Sequence, residues 1–269
     1  MRKYFIAAMA VAALAAFSIP GTAFAVSPNV STLDANLRPD NPGGTSTKSG
    51  LFVETSTLLA GAGAGTPTSP LKEPVPTRRA TLDFDHAIVF GTNTVTRCTG
   101  SLSGTTQQGM TNCGDSYVGG GYATLCLSST GPGGNCDLGG YGNPDTGVLN
   151  AQIAAYNGPK DGGTSGNQPT ILLQSVADHT PLGPTTVVLT GSLFNSPAGG
   201  DFAGGKRLDV PIPLIGGGAG AITDFAVNVN NGGYVKATCD DGTWSYQANL
   251  IYNNPPGGND LVSDSQACT

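Results

Sequence analysis

The clearest pattern in the chain lies near its C-terminus. Trp244, Tyr246, Ala248, Leu250 and Tyr252 alternate there with Thr243, Ser245, Gln247, Asn249 and Ile251. A period of two puts the two sets on opposite faces, which predicts a half-buried antiparallel strand over residues 243–252. Asp240-Asp241-Gly242 precedes it, and the glycine supplies the positive φ of a tight turn. Residues 234–239 are therefore expected to be the other arm of a hairpin, and residues 261–268 a returning last strand. Upstream, Ala80, Leu82 and Phe84 share one face of a strand over 80–85. Residues 117–127, 148–156, 170–176 and 185–193 read as further strands. Pro211 and Pro213 lack the amide hydrogen a ladder needs, so the stretch 208–215 is expected at a sheet edge. In 221–229, Ile222 is out of phase with Phe225, Val227 and Val229, which predicts a bulge.

About ten short strands joined by turns make the fold class all-β, an antiparallel β-sandwich or jelly-roll-like domain over 77–269. The polar stretch 26–50, with no apolar period, reads as a flexible leader. Residues 51–59 predict an edge strand, and the Gly- and Pro-rich stretch 61–76 a linker, so 26–76 as a whole precedes the domain. Before it, Arg2 and Lys3, an uncharged apolar run and Ala23-Phe24-Ala25 form the pattern of a signal peptide over 1–25. A chain so exported is secreted or held at the cell envelope, away from ATP and nicotinamide cofactors, with no membrane span after cleavage.

Composition sharpens this picture. Charged residues are 11 % of the chain, against a usual value of about 25 %. With 41 Gly and 19 Pro, little remains for the exposed faces of helices. The first 25 residues carry two of the 12 basic residues and none of the 18 acidic ones, so the net charge without them is −8. That sign repels phosphate backbones and excludes nucleic acid as a partner. Six cysteines in an exported chain predict three disulfides. Sequential pairing, Cys98 with Cys113, Cys126 with Cys136 and Cys239 with Cys268, is favoured because each pair brackets a short polar or Gly-rich segment. A zinc site is the weaker reading, since no Cys-x-x-Cys occurs.

Candidate chemistry is sparse, and no catalytic residue is assigned. Asp83 and Asp85 share a strand face, the spacing of a carboxylate pair or of a solvated polar face. His86 and His179 are the two histidines, and no Gly-x-Ser-x-Gly elbow accompanies them. Trp244, Tyr246 and Tyr252 would form a sugar-stacking platform if exposed and core if not. Asp240 and Asp241, with Asp224 or Asp264, would hold calcium if they converged, whereas a hairpin turn accounts for the same residues.

Several segments together, Arg78 to Asp85, the Cys98–Cys113 loop running into Gly114-Asp115-Ser116-Tyr117, Ala155 to Lys160 with Pro169 to Leu173, Ile222 to Phe225, Tyr234 to Cys239 and the final Cys268, resemble an uncharacterised family of secreted proteins from high-GC Gram-positive bacteria. The resemblance covers the body from Thr77 onward. It implies an exported all-β domain with disulfides at the first and last cysteine pairs, and it implies no activity. Cys126 and Cys136 fall in an insertion relative to it. Three functions then stand in order. First is a non-catalytic extracellular or envelope β module whose partner is a cell-wall glycan or an envelope protein; a carbohydrate-binding module and a secreted hydrolase follow.

Overall fold

The computed structural model describes residues 27–39, 45–62, 71–136, 148–160, 167–177, 185–215, 220–231, 233–252 and 258–268. The expected signal peptide and His179 lie outside the described residues. In chain order the elements are β1 (Asn29–Arg38), β2 (Thr47–Leu59), β3 (Thr77–Phe84), β4 (Ile88–Phe90), α1 (Thr106–Cys113), β5 (Tyr117–Leu127), β6 (Val148–Asn157), β7 (Thr170–Ala177), β8 (Thr185–Asn195), β9 (Lys206–Pro211), β10 (Gly220–Val229), β11 (Val235–Ala237), β12 (Thr243–Tyr252) and β13 (Asn259–Ala267). The fold is all-β and antiparallel, with three disulfides paired sequentially and Cα–Cα separations of 5.0, 5.0 and 5.8 Å. Disulfides of this kind belong to an oxidising environment.

Instead of about ten strands there are thirteen among the described residues, in one hydrogen-bonded path: β13-β12-β3-β9-β8-β7-β6-β5-β10-β2-β11-β4, with β1 on β2. The path curls so that β1 comes to lie beside β13. No ladder joins those two strands; side chains do the work. Asp264 Oδ2 accepts from the Ala35 N–H at 2.8 Å, and Gln266 Oε1 accepts from the Leu37 N–H at 2.6 Å. Gln266 Nε2 returns a bond to the Leu37 carbonyl at 3.0 Å. Three backbone groups on the free edge of β1 are thereby satisfied by side chains rather than by another backbone, which blunts that part of the edge.

Inside the curl, Leu37, Leu51, Val53, Phe84, Leu173, Val210, Val227, Trp244 and Tyr246 belong to one core cluster. Outward, the same strands present Asp34, Asn36, Arg38, Arg79 and Asn228. No helix among the described residues is long and apolar enough to cross a membrane.

Several expectations are corrected. The leader is not free: β1 pairs with β2 over ten residues, from Asn29↔Leu59 to Arg38↔Gly50. Nor is β2 an edge, because β10 pairs on its other side. Leu71 and Val75 of the expected linker are buried, and Val75 exchanges bonds with the Asn29 side chain at 2.9 Å in both directions. β9 is interior, between β3 and β8; its ladder with β8 ends at Asp209, so Pro211 lies two residues beyond it. The Asp240–Gly242 turn forms with Gly242 at φ +86°, yet its arms do not pair. β11 pairs with β2 and β4, whereas β12 pairs with β3 and β13. The turn is a crossing between regions of the sheet, and Cys239–Cys268 staples it to the end of β13. The bulge at Ile222 is present, as a register shift between Ile222 and Asp224 against β5.

One helix was not expected. Thr105 caps α1 by accepting from the Gln108 N–H at 3.3 Å, and Gln108 Oε1 accepts from the Thr105 N–H at 3.0 Å. That reciprocal box satisfies two otherwise orphaned donors. α1 lies over the outer face of β6 and β7, where a Cβ at Gly109 would meet Gln174 Oε1 at 2.1 Å. Glycine permits the contact, and Cys98–Cys113 holds it.

Candidate functional site

β12 sits between β3 and β13, and its apolar face turns inward. Trp244, Tyr246 and Tyr252 are accordingly 0 %, 2 % and 1 % exposed. Stacking on a sugar needs an open ring face. The three aromatics are core, and the platform expected of them is corrected on that ground. Burial pushes the hydroxyls of Tyr246 and Tyr252 well above the usual phenol range. Tyr252 bonds Ser31 Oγ at 2.7 Å and donates to Asp260 at 2.8 Å, which ties β12 to β1 and β13.

The acidic residues are likewise dispersed. Asp240 and Asp241 are exposed, and Asp241 Oδ1 accepts from the Thr243 N–H at 3.2 Å, closing the turn. Asp224 accepts from Ser56 Oγ on β2, and Asp264 is committed to the edge of β1. The four carboxylates do not converge, so the calcium reading loses its ligand set. Among the described residues, no group of three or more His, Cys, Asp or Glu stands where it would hold a metal.

Asp83 and Asp85 are buried, at 2 % and 1 % exposed, rather than on a solvated face. Asp83 accepts a bidentate pair from Arg207, Nε at 2.8 Å and Nη2 at 2.6 Å, and a third bond from Ser196 Oγ at 2.5 Å. Asp85 accepts from the backbone N–H of Ala87 at 2.8 Å and of Ser245 at 3.1 Å. Burial raises its pKa, and those two bonds together with the nearby His86 only partly offset the rise. His86 Nδ1 lies 3.2 Å from Asp85 Oδ1 and 3.1 Å from the Asp201 carbonyl. Ser245 Oγ donates to Asp201 Oδ2 at 2.8 Å rather than to the imidazole. A serine nucleophile needs a base on its hydroxyl; here the carboxylates position backbone and turn.

A different surface gathers unpaired polar groups. Across β1, β2 and β10 the register places Asn36 opposite Phe52 and Phe52 opposite Asn228, with Arg38 opposite Gly50 in the next row. Asn36, Arg38, Gly50, Phe52, Asn228 and Asn230 line an outward groove of about 620 Å³. At Gly50 a Cβ would come within 3.3 Å of the Asn230 Cβ, so the missing side chain keeps the floor open. β1 and β2 carry this row because Leu33, Ala35 and Leu37 alternate with Asp34, Asn36 and Arg38, which sends the polar set outward. One row further, Tyr122 is 47 % exposed and donates to Glu54 Oε1 at 2.7 Å.

That bond to Glu54 is the largest reason the Tyr122 hydroxyl is pushed up to about 12, with burial and the charges of Glu54 and Asp224 adding to it. A raised phenol pKa means the bond supports the fold fully below the ordinary value of about 10, and that support fades as pH climbs through about 12. In a titration followed at 295 nm or by tyrosine ring resonances, Tyr122 is expected to ionise near 12 and to return toward the ordinary value in Glu54→Gln. A Tyr122 that titrates normally in the unsubstituted protein would exclude the bond.

Comparison with protein-family models, curated proteins and solved structures finds no match to the chain.

Proposed function

We propose that the chain is an exported, non-catalytic β module that binds a cell-wall or extracellular glycan in the groove across β1, β2 and β10. The observation that carries this reading is the company around Phe52. Three carboxamides, Asn36, Asn228 and Asn230, and the Arg38 guanidinium surround one half-buried ring, and none of the four makes a side-chain hydrogen bond among the described residues. A carboxamide offers a donor and an acceptor side by side, which matches two vicinal hydroxyls. An aromatic face accepts the C–H face of a pyranose, and a guanidinium serves ring oxygens or a uronate. A three-strand floor holds these groups without loop ordering, which lowers the cost of binding. Export is supported by the N-terminal pattern and the three disulfides. The non-catalytic part rests on the structural engagement of Asp83, Asp85 and Ser245.

The test is an array of cell-wall and extracellular polysaccharides probed with the oxidised protein, Phe52→Ala and Asn228→Ala. Both are expected to lower affinity at least tenfold, with an unchanged unfolding midpoint for the exposed Asn228→Ala and a modestly lowered one for the half-buried Phe52→Ala. A blank array, or undiminished binding by Phe52→Ala, would overturn the reading.

A further inference from the structure

The interior of the curled sheet is incompletely filled. A cavity of about 90 Å³ lies between the strands, bordered from β3 and β9 by Leu82, Leu208 and Val210 and from β2 and β10 by Val53, Phe225 and Val227. Close-packed cores leave few voids larger than a water molecule. Leu82, Leu208 and Phe225 sit against the core cluster yet remain only partly buried, which is what facing an unfilled space produces. No charged side chain borders the cavity. Of its threonines, Thr57 bonds Ser31 Oγ at 3.2 Å and Thr223 donates to the Thr124 carbonyl at 3.2 Å. Thr55 and Thr77 add two more hydroxyls to the lining, and every other side chain on it is apolar, so a resident water would find few of the two to four polar partners it needs.

The two ends differ. One is shut by an aromatic cluster, Phe84 on Phe90 with ring centroids 5.1 Å apart and Phe90 on Tyr234 at 6.2 Å. At the other, Ile212 and Ile222 border the cavity and are partly exposed. Leu214, 48 % exposed, continues the apolar surface outward beside the Ile215–Gly220 bridge.

We propose that this cavity is a binding site for the end of an unbranched hydrocarbon chain, entering between Ile212 and Ile222. The volume decides the class. A fused-ring ligand is too large, since a single benzene occupies a cavity of about 150 Å³. A few methylenes in single file fit, and the remainder of the amphiphile lies outside, against Leu214. The site is separate from the outward groove, because the two use opposite faces of β2 and β10.

The test titrates the oxidised protein with straight-chain 1-alkanols of four to ten carbons, followed by methyl resonances of Leu82, Leu208 and Val210. Octane-1,8-diol, equal in length but polar at both ends, is the control. Affinity is expected to rise about three- to fourfold per methylene until the cavity is full, then level off, and the diol is expected to leave those methyls unmoved. Leu208→Phe and Leu82→Phe, which fill the space, are expected to weaken octan-1-ol binding at least tenfold. Inward methyls untouched by octan-1-ol, or moved equally by the diol, would overturn the proposal, as would undiminished binding by either filled variant. The alkanol–diol comparison decides the matter with the unsubstituted chain even if neither variant folds.

Discussion

Arg207→Met is expected to destabilise the protein by about 3 kcal/mol or more, a far larger effect than its surface position on β9 suggests. The cause lies on the partner strand. Asp83 is 2 % exposed and depends on Arg207 for two of its three side-chain bonds. Removing the guanidinium leaves a buried carboxylate with only the Ser196 hydroxyl. Desolvation without a counter-charge is costly. The Arg79–Asp209 pair on the same two strands is the internal control, because its chemistry is equal and its exposure is not. Arg79 is 52 % exposed against 27 % for Arg207, and Arg79→Met is expected to cost no more than about 1 kcal/mol, less at high salt. Denaturant unfolding of the two variants and of Asp83→Asn/Arg207→Met reads the difference. The double variant is expected to recover part of the loss, since it removes the unpaired charge. Equal costs for Arg79→Met and Arg207→Met would show that burial of Asp83 is not what makes its pair matter.

The two aspartates show where a period-two reading stops. Alternation put Asp83 on the face opposite Leu82 and Phe84, where it meets Arg207, and such a face is usually wet; Asp85 lies just past the end of β3. Both are dry here because residues far along the chain cover them: Arg207 and Ser196 at Asp83, and the Ser245 amide at Asp85. No local pattern contains that information. The β strands of the body were legible for the opposite reason, since side-chain alternation is local, and even the phase slip at Ile222 appears as a register shift. Pro211 misled because a proline at the end of an interior strand, past the last pair of one ladder, looks the same in sequence as a proline on an edge. β1 carries a local signal too. Leu33, Ala35 and Leu37 alternate with polar residues, but small apolar counts and flanking Pro and Asn gave the stretch the look of a leader. The capping box of α1, Thr105 with Gln108, is a signal of the same kind.

The outward groove is not a local feature either. Asn36 and Arg38 stand on β1, Asn228 on β10 and Asn230 just past its end. Each amide alone is an ordinary surface residue. Only the register of β1 on β2 and of β2 on β10 brings them around Phe52. Pairing partners separated by more than 170 residues are a property of the whole topology. The sequence showed which side chains point outward, but not which of them are neighbours.

Trp244→Ala is expected to cost about 3–5 kcal/mol, enough to unfold much of the population at moderate temperature. Trp244 is fully buried against the core cluster, and its Nε1 donates to the Thr238 carbonyl at 2.7 Å, tying β12 to the crossing segment before the turn. Alanine leaves a large void that the disulfide-stapled end of β12 is poorly placed to collapse into. Trp244→Phe keeps most of the volume and loses the bond, so its expected cost is about 1–2 kcal/mol. Because this is the single tryptophan of the chain, its emission reports the whole molecule. Native fluorescence is expected to be blue-shifted and shielded from acrylamide, and to stay unchanged when glycan fills the outward groove. A loss of glycan binding in Trp244→Ala would therefore report unfolding rather than a lost contact. If Trp244→Ala remained as stable as the parent, or acrylamide quenched the native emission as it does an exposed indole, the inward placement of β12 would be wrong, and the aromatic platform on that strand would have to be reconsidered.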